Sequence, residues 1–387
     1  MLKSTAATND LTQARVLQRE GNVAAAQALC RAVLARQPDQ FDALCLLGQL
    51  LVQSEHFGEA VLLLRRAASL GATDAETNQY LARALIGLGH DVEAIAMLTT
   101  ALRRSPAHVP MINLLASALH RCARHDEARA LLGDALFRVG ATAAATDLLE
   151  HWARLLPDDP VPAHRLAAMR GEALPARAAD GYVTYLFDRY ADTFDESLQG
   201  LGYHGPALAA KLLQAAEFTP DRQLNVLDAG CGTGLCASVL QPFAAHLTGV
   251  DLSPAMVEKA RQRGGYDALV VAELTDYLGL HTAQFDLIVA MDTLNYFGEL
   301  STVFRNAAHA LRPNGYFAFT LEKADADGPG YRLNTNARYS HSTAYVTQRL
   351  ADAGFSLQVM DAVVLRHNDD EPVHGLAVLA RRVAVTV

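Results

Sequence analysis

The chain has five cysteines, one tryptophan and no surplus of basic residues, and each shortage removes a class of function. Cys30, Cys45, Cys122, Cys231 and Cys236 form no C-x-x-C pair and no Cys/His spacing suited to zinc. Neither a disulfide framework nor a metal site is therefore expected. No apolar run approaches the roughly 18 residues of a membrane span, and Lys3 is followed by polar Ser4–Asp10 instead of a signal-peptide core. The expectation is a soluble, cytoplasmic protein with no membrane partner. Residues 1–156 hold 15 Lys/Arg against 15 Asp/Glu, and the remainder hold 18 against 27, so the whole charge of −9 sits in the second part. An acidic part without a basic, aromatic-interleaved stripe argues against nucleic acid as partner.

What is present divides into two patterns. With 387 residues, 51% of them apolar, the chain is long enough to bury two cores. The first part repeats itself every 34 residues. Ala26, Ala60, Ala94 and Ala128 fall in one register; Ala14, Gly48, Ala82 and Ala116 in a second; Val33, Ala67, Ala101 and Ala135 in a third. Pro38, Ala72, Pro106 and Gly140 close each unit. Small residues recurring at helix crossings, each unit ended by a breaker, predict stacked helix pairs. Four repeats result, at 7–40, 41–74, 75–108 and 109–142, with 143–156 as a capping helix. Pro157–Pro162 breaks the array; a helix over 163–170 and a linker over 171–180 are expected next.

The second part contains Val226-Leu227-Asp228-Ala229-Gly230-Cys231-Gly232-Thr233-Gly234, and one helix length later Val250-Asp251. This reads as a buried strand, a glycine turn, a helix and a second strand ending in a carboxylate. The glycines admit a ligand close to the backbone, the helix offers free N–H groups, and the carboxylate can accept both ribose hydroxyls. A dinucleotide fingerprint needs glycine at 235, where Leu235 stands, so NAD is disfavoured. Further strands are predicted at 268–272, 285–292, 316–321, 355–365 and 373–381, with a helix over 300–311 between the second and third of these.

The D-x-G-x-G-x-G spacing, Pro254 opening a helix, Glu273-Leu274 after a strand, Asp292 after the next, and "LRPNGYF" at 311–317 together resemble the class I S-adenosylmethionine-dependent methyltransferases. The catalytic part is similar to the trans-aconitate and ubiquinone-type small-molecule enzymes, and the helical part resembles the tetratricopeptide (TPR) repeat. The resemblance implies an α + α/β protein. A TPR solenoid over 1–156 and a connecting helix and linker over 157–180 precede a doubly wound, Rossmann-like, seven-stranded methyltransferase domain over 181–387. It implies S-adenosylmethionine as cofactor, S-adenosylhomocysteine as product, and no metal. Asp228, Gly230, Gly232 and Gly234 would hold the methionine part and Asp251 the ribose, with Leu252 also at the cofactor. Met256, Glu273 and Leu274 would meet the adenine, with Asp292 and Tyr190 also at the cofactor.

The helix over 182–194 and the Tyr203–Pro206 turn resemble the lid of such enzymes, and Tyr203, Tyr296, Arg332 and Arg338 are candidate acceptor-binding residues. A hydroxyl or ammonium acceptor must lose a proton, for which His204 and His341 are the candidate bases; a carboxylate acceptor needs none. The expected activity is O-methylation of a small-molecule or carrier-bound acceptor, with the repeats serving partner binding, recruitment or dimerisation. Two alternatives stand beside it: a protein or peptide acceptor delivered by the repeats, and a cofactor-binding interaction scaffold without catalysis.

Overall fold

The computed structural model describes residues 2–71, 74–140, 142–171, 175–324, 330–368 and 371–383, with backbone alone for 2–6. It divides into two compact units, Met1–Asp158 and Asp159–Val387, taken here separately. Among the described residues no helix is long and apolar enough to cross a membrane.

The first unit is all helical: α1 (Leu2–Arg19), α2 (Val23–Arg36), α3 (Phe41–Gln53), α4 (Phe57–Ser69), α5 (Ala75–Gly87), α6 (Asp91–Leu102), α7 (Val109–Arg121), α8 (His125–Val139) and α9 (Ala143–Leu155). The starts of α3, α5, α7 and α9 are 34 residues apart, as are those of α2, α4, α6 and α8. Each helix packs on its successor. Ala26, Ala60, Ala94 and Ala128 are all fully buried, as are Ala14, Ala82 and Ala116. Gly48 shows why these positions stay small, because a Cβ there would stand 2.5 Å from Leu64 on α4. Of the breaker positions, Ala72 lies outside the described residues. A further register emerges only in the structure. Gly21, Glu55, Gly89 and Ala123 all have φ between 58° and 79° and turn the chain between paired helices. Two of the four accept the strain of a side chain in the left-handed region, so no glycine pattern marks them.

The second unit is a mixed sheet flanked by helices. Its helices are α10 (Pro160–Arg170), α11 (Asp180–Tyr190), α12 (Phe194–Gly200), α13 (Gly205–Ala215), α14 (Ala237–Leu240), α15 (Pro254–Arg263), α16 (Leu274–Leu280), α17 (Ser301–Ala310) and α18 (Thr343–Asp352). Its strands are β1 (Leu224–Ala229), β2 (Ala244–Asp251), β3 (Ala268–Val271), β4 (Phe285–Ala290), β5 (Leu311–Lys323), β6 (Tyr331–Leu333), β7 (Tyr339–His341), β8 (Phe355–Asn368) and β9 (Glu371–Arg382). The parallel strands run in the order β3-β2-β1-β4-β5, and β9 pairs antiparallel with both β5 and β8. Chain order reverses between β1 and β4, which leaves a crevice at their carboxyl ends.

Three expectations change. Among the described residues the sheet has nine strands instead of seven, because the segment after β5 folds back as the β6–β7 hairpin, with β7 pairing to Glu322 and Lys323 of β5. Residues 325–329 of that segment lie outside the described residues. The helix expected over 182–194 breaks at Ala191–Thr193 into α11 and α12. The break lets Asp188, Asp192 and Asp195 each reach a separate partner: Ser253, Lys259 and Thr233. Finally, the linker expected over 171–180 is, where described, fastened to the second unit. Ala178 N–H donates to Tyr296, and the N–H groups of Gly298 and Glu299 donate to Ala176. Residues 172–174 lie outside the described residues.

Candidate functional site

The glycine turn is built by backbone demands. After β1, Gly230, Gly232 and Gly234 take φ of 74°, 54° and 85°, and the N–H groups of Gly230 and Cys231 donate to the Val250 carbonyl on β2. A Cβ on Gly230 would stand 2.3 Å from Thr293 Oγ1, so the close approach of the turn to the loop after β4 requires glycine there. The helix expected directly after the turn is short, Ala237–Leu240, because residues 231–236 coil into tight turns first. The turn itself therefore forms the floor.

Beside it, Asp251 ends β2 and accepts the Gly232 N–H and the Ser253 N–H, both at 2.9 Å. Burial raises its pKa, against these bonds. Asp228 is 2% exposed, and burial pushes its carboxyl up to about 7 in spite of the 2.6 Å bond donated by Tyr266. Glu273 caps α16, accepting the Asp276 N–H at 2.8 Å, with Arg177 3.9 Å away; Asp276 itself is exposed.

These groups open into one cavity. Its floor includes Asp228, the residues 230–233, Asp251, Leu252, Glu273 and Leu274. Val183, Phe187, Phe194, Leu198 and Tyr203 supply a wall from α11, α12 and the following turn; Asp292, Thr293, Tyr296, Phe297 and Arg338 supply the wall opposite. Phe187 joins the two walls, 5.4 Å from Tyr296 and 5.9 Å from Phe194 between ring centroids. Gly205 permits this arrangement, since a Cβ there would collide with the Tyr203 hydroxyl.

A buried charge cluster backs the second wall. Asp292, held at φ 55°, donates its N–H to the Thr320 hydroxyl oxygen, and its carboxylate faces Arg366 Nη1 at 3.0 Å and Arg338 Nη1 at 3.3 Å. Asn295 Nδ2 also donates to it. Glu322 pairs closely with Arg366 and lies 3.6 Å from Arg338. Two carboxylates thus meet two guanidiniums. Burial opposes the charge on Arg338, but Tyr296, Asp292 and Glu322 outweigh it and hold its pKa above the usual arginine range.

Several sequence-derived candidates lie elsewhere. Tyr190 ends α11 outside the cavity lining, where Val183 and Phe187 represent that helix instead. Met256, on the buried face of α15, packs into the core instead of the cavity. His204 is exposed at the start of α13. His341 is fully buried outside the lining; its Nε2 donates to the Gly298 carbonyl at 3.1 Å, and burial pushes its pKa down to about 4. Arg332 is exposed and bonds Asn334. Sequence reading missed Phe187, Thr293, Glu322, Arg366 and Tyr266. A lone arginine in apolar β8 and a glutamate closing the apolar run of β5 were the available signals.

Comparison with known proteins follows the same elements. A methyltransferase-domain family profile matches residues 227–319. Human methyltransferase-like protein 27 is 30% identical over 202 residues, covering 49% of this chain and 78% of that protein. The chain belongs to the methyltransferase family. It is an S-adenosylmethionine-dependent methyltransferase. The Xylella fastidiosa ubiquinone biosynthesis O-methyltransferase is 34% identical over 104 residues, 26% of this chain and 42% of that enzyme. Malonyl-(acyl-carrier protein) O-methyltransferase of Enterobacter lignolyticus is 33% identical over 111 residues, 29% of this chain and 44% of that enzyme. The chain therefore spans less than half the length of these two relatives. Among solved structures, a Burkholderia thailandensis 1,6-didemethyltoxoflavin-N1-methyltransferase with bound S-adenosylhomocysteine is 21% identical, with TM-score 0.42, 55% of this chain covered and 93% of that one.

The methyltransferase's residues fit its cofactor. The turn is closed to any Cβ at Gly230, and Asp251 lines the same cavity. Among the described residues, no group of three or more His, Cys, Asp or Glu could hold a metal ion.

Proposed function

We propose that this protein methylates an oxygen of a small-molecule or carrier-bound acceptor. When bound, S-adenosylmethionine supplies an electrophilic methyl group on a sulfonium. In this reading Asp228 and the glycine turn hold the methionine part of the cofactor, Asp251 and Leu252 the ribose, and Glu273 and Leu274 the adenine. Tyr203, Asp292, Tyr296 and Arg338 face the acceptor. The carrying observation is the single cavity that joins the glycine turn to the aromatic wall of α11 and α12 and to Arg338. Methyl transfer is an in-line displacement, so alignment dominates over acid–base help, and two walls bridged by Phe187 provide it. Asp188 and Asp195 clasp the lid to Ser253 and Thr233, at 2.5 and 2.6 Å, and so exclude water from the cavity. The names of the Xylella and Enterobacter relatives support oxygen as the acceptor atom and a carrier as one way of presenting it.

The helical unit reads as a TPR array for partner binding, substrate recruitment or dimerisation. Its support is the constant 34-residue spacing of helix starts and the buried small residues at that period. Turnover to S-adenosylhomocysteine, measured with acceptor panels on the full chain and on residues 159–387, tests both parts. Product from neither protein with any oxygen acceptor, despite normal cofactor binding, would overturn O-methylation. Equal kinetics with and without the helical unit would remove recruitment.

A further inference from the structure

The acceptor side of the cavity carries a specific chemistry, and four observations converge on it. First, among the described lining residues there is no histidine. Second, each acid in the lining is already engaged: Asp228 by Tyr266, Asp251 by two N–H groups, Glu273 by the Asp276 N–H, and Asp292 by Arg366, Arg338 and Asn295. In the reading above Asp228, Asp251 and Glu273 serve the cofactor, and the acid left on the acceptor side, Asp292, is paired with two guanidiniums. Third, Arg338 touches both of its carboxylates through Nη1 alone, at 3.3 and 3.6 Å, with 25% of its side chain exposed, whereas Arg366 behind it has 3%. Among the described residues nothing bonds its Nε or Nη2 edge, which has the fork geometry that suits a carboxylate. Fourth, Tyr296 is 6% exposed, lines the cavity, and its buried hydroxyl has no hydrogen-bond partner among the described residues, while the Arg338 guanidinium sits 5.7 Å from its ring centroid. A buried hydroxyl without a partner is costly, and an anionic oxygen relieves that cost.

Resting on the O-methyltransferase reading above, we propose that the acceptor is a carboxylate, held by Arg338 and the Tyr296 hydroxyl, and that the product is its methyl ester. A carboxylate oxygen donates a lone pair to the methyl carbon, the carbon–sulfur bond breaks, and its electron pair returns to sulfur as the neutral thioether. No proton moves, which matches a cavity whose acids are all occupied. Val183, Phe187, Phe194 and Phe297 would enclose an apolar remainder of the acid.

The test uses the full chain and methyl-labelled cofactor with a panel of alkyl and aryl carboxylic acids, malonyl-pantetheine, and the matched alcohols and primary amides. The expected result is turnover of acids only, with label released as methanol by mild alkali. Tyr296→Phe should raise KM for the acid about tenfold while leaving the melting temperature and S-adenosylhomocysteine affinity unchanged. Arg338→Lys, which keeps charge but loses the fork, should cost about a hundredfold in kcat/KM. If that variant fails to fold, the phenylalanine variant decides. Alkali-stable label, or turnover of alcohols or amides, overturns the carboxylate assignment. So does a protein that binds S-adenosylhomocysteine normally yet neither binds nor methylates any acid in a Tyr296-dependent way. Failure to bind S-adenosylhomocysteine at all would instead defeat the underlying reading.

Discussion

Replacing Tyr266 with phenylalanine isolates one hydrogen bond. The hydroxyl donates to Asp228 Oδ2 at 2.6 Å, while the ring fills the space beside Gly234 and Gly249, where added Cβ atoms would stand 3.1 and 2.9 Å from it. Phenylalanine preserves that packing and removes only the bond. Burial raises Asp228 to about 7, Tyr266 pulls it down, and Asp251 pushes it up. A bond to a charged group is worth about 1.5–3 kcal/mol. At 1.36 kcal/mol per pH unit, its loss moves the Asp228 midpoint upward by about one to two pH units. In the proposed binding mode Asp228 meets the ammonium of S-adenosylhomocysteine, which favours the ionised carboxylate. Affinity in the parent protein should therefore increase as pH rises through about 7, and in the variant only at roughly pH 8–9. Near pH 7.5 the variant should bind about tenfold more weakly and recover in alkali. Folding has the opposite sign. A carboxyl whose folded pKa lies above its unfolded value stabilises the fold below about pH 4 and loses that contribution as pH rises towards 7. Calorimetry of S-adenosylhomocysteine binding across pH 6–9 checks both proteins. Superimposable curves, or a loss equal at every pH, would refute the role given to Tyr266.

Asp251→Ala should weaken S-adenosylhomocysteine by on the order of 2 kcal/mol, because it removes a carboxylate from the lining of the cavity; unchanged affinity by calorimetry would take Asp251 out of the site. His204→Ala should leave kcat and KM unaltered, since His204 is exposed and lies outside the cavity lining; a large fall in turnover would restore it as a base. His341 is buried with its pKa pushed down to about 4, so it stabilises the fold above its unfolded pKa and that contribution is lost as pH falls from about 6.5 towards 4; thermal melts of His341→Gln should show a shallower acid limb. Cleavage at Asp158/Asp159, the boundary of the two units, should leave 159–387 folded and able to bind S-adenosylhomocysteine, whereas cleavage among 175–178 should damage it because that segment bonds Tyr296–Glu299. An insoluble 159–387 fragment would contradict two separable units.

Local chemistry was readable without coordinates wherever it depends on neighbours in sequence. Glycines spaced to turn left-handed after β1, an acid ending β2, and small residues every 34 positions are each imposed by the backbone at the place where they occur. Asp228, Gly230, Gly232, Asp251, Glu273 and Leu274 accordingly stand in the cavity lining, and the buried alanines stand at their period. Tertiary structure decided everything that depends on which distant segments meet. Met256 and His341 carry suitable chemistry, yet packing draws both into the interior, while Arg338, from the hairpin after β5, reaches the cavity and Arg332, one turn of that hairpin away, does not. Arg366 and Glu322 gain their charge partners only because β8 and β5 are joined through β9 in one sheet. Charge pairing and side-chain direction depend on strand register and burial, and a linear spacing of residues encodes neither.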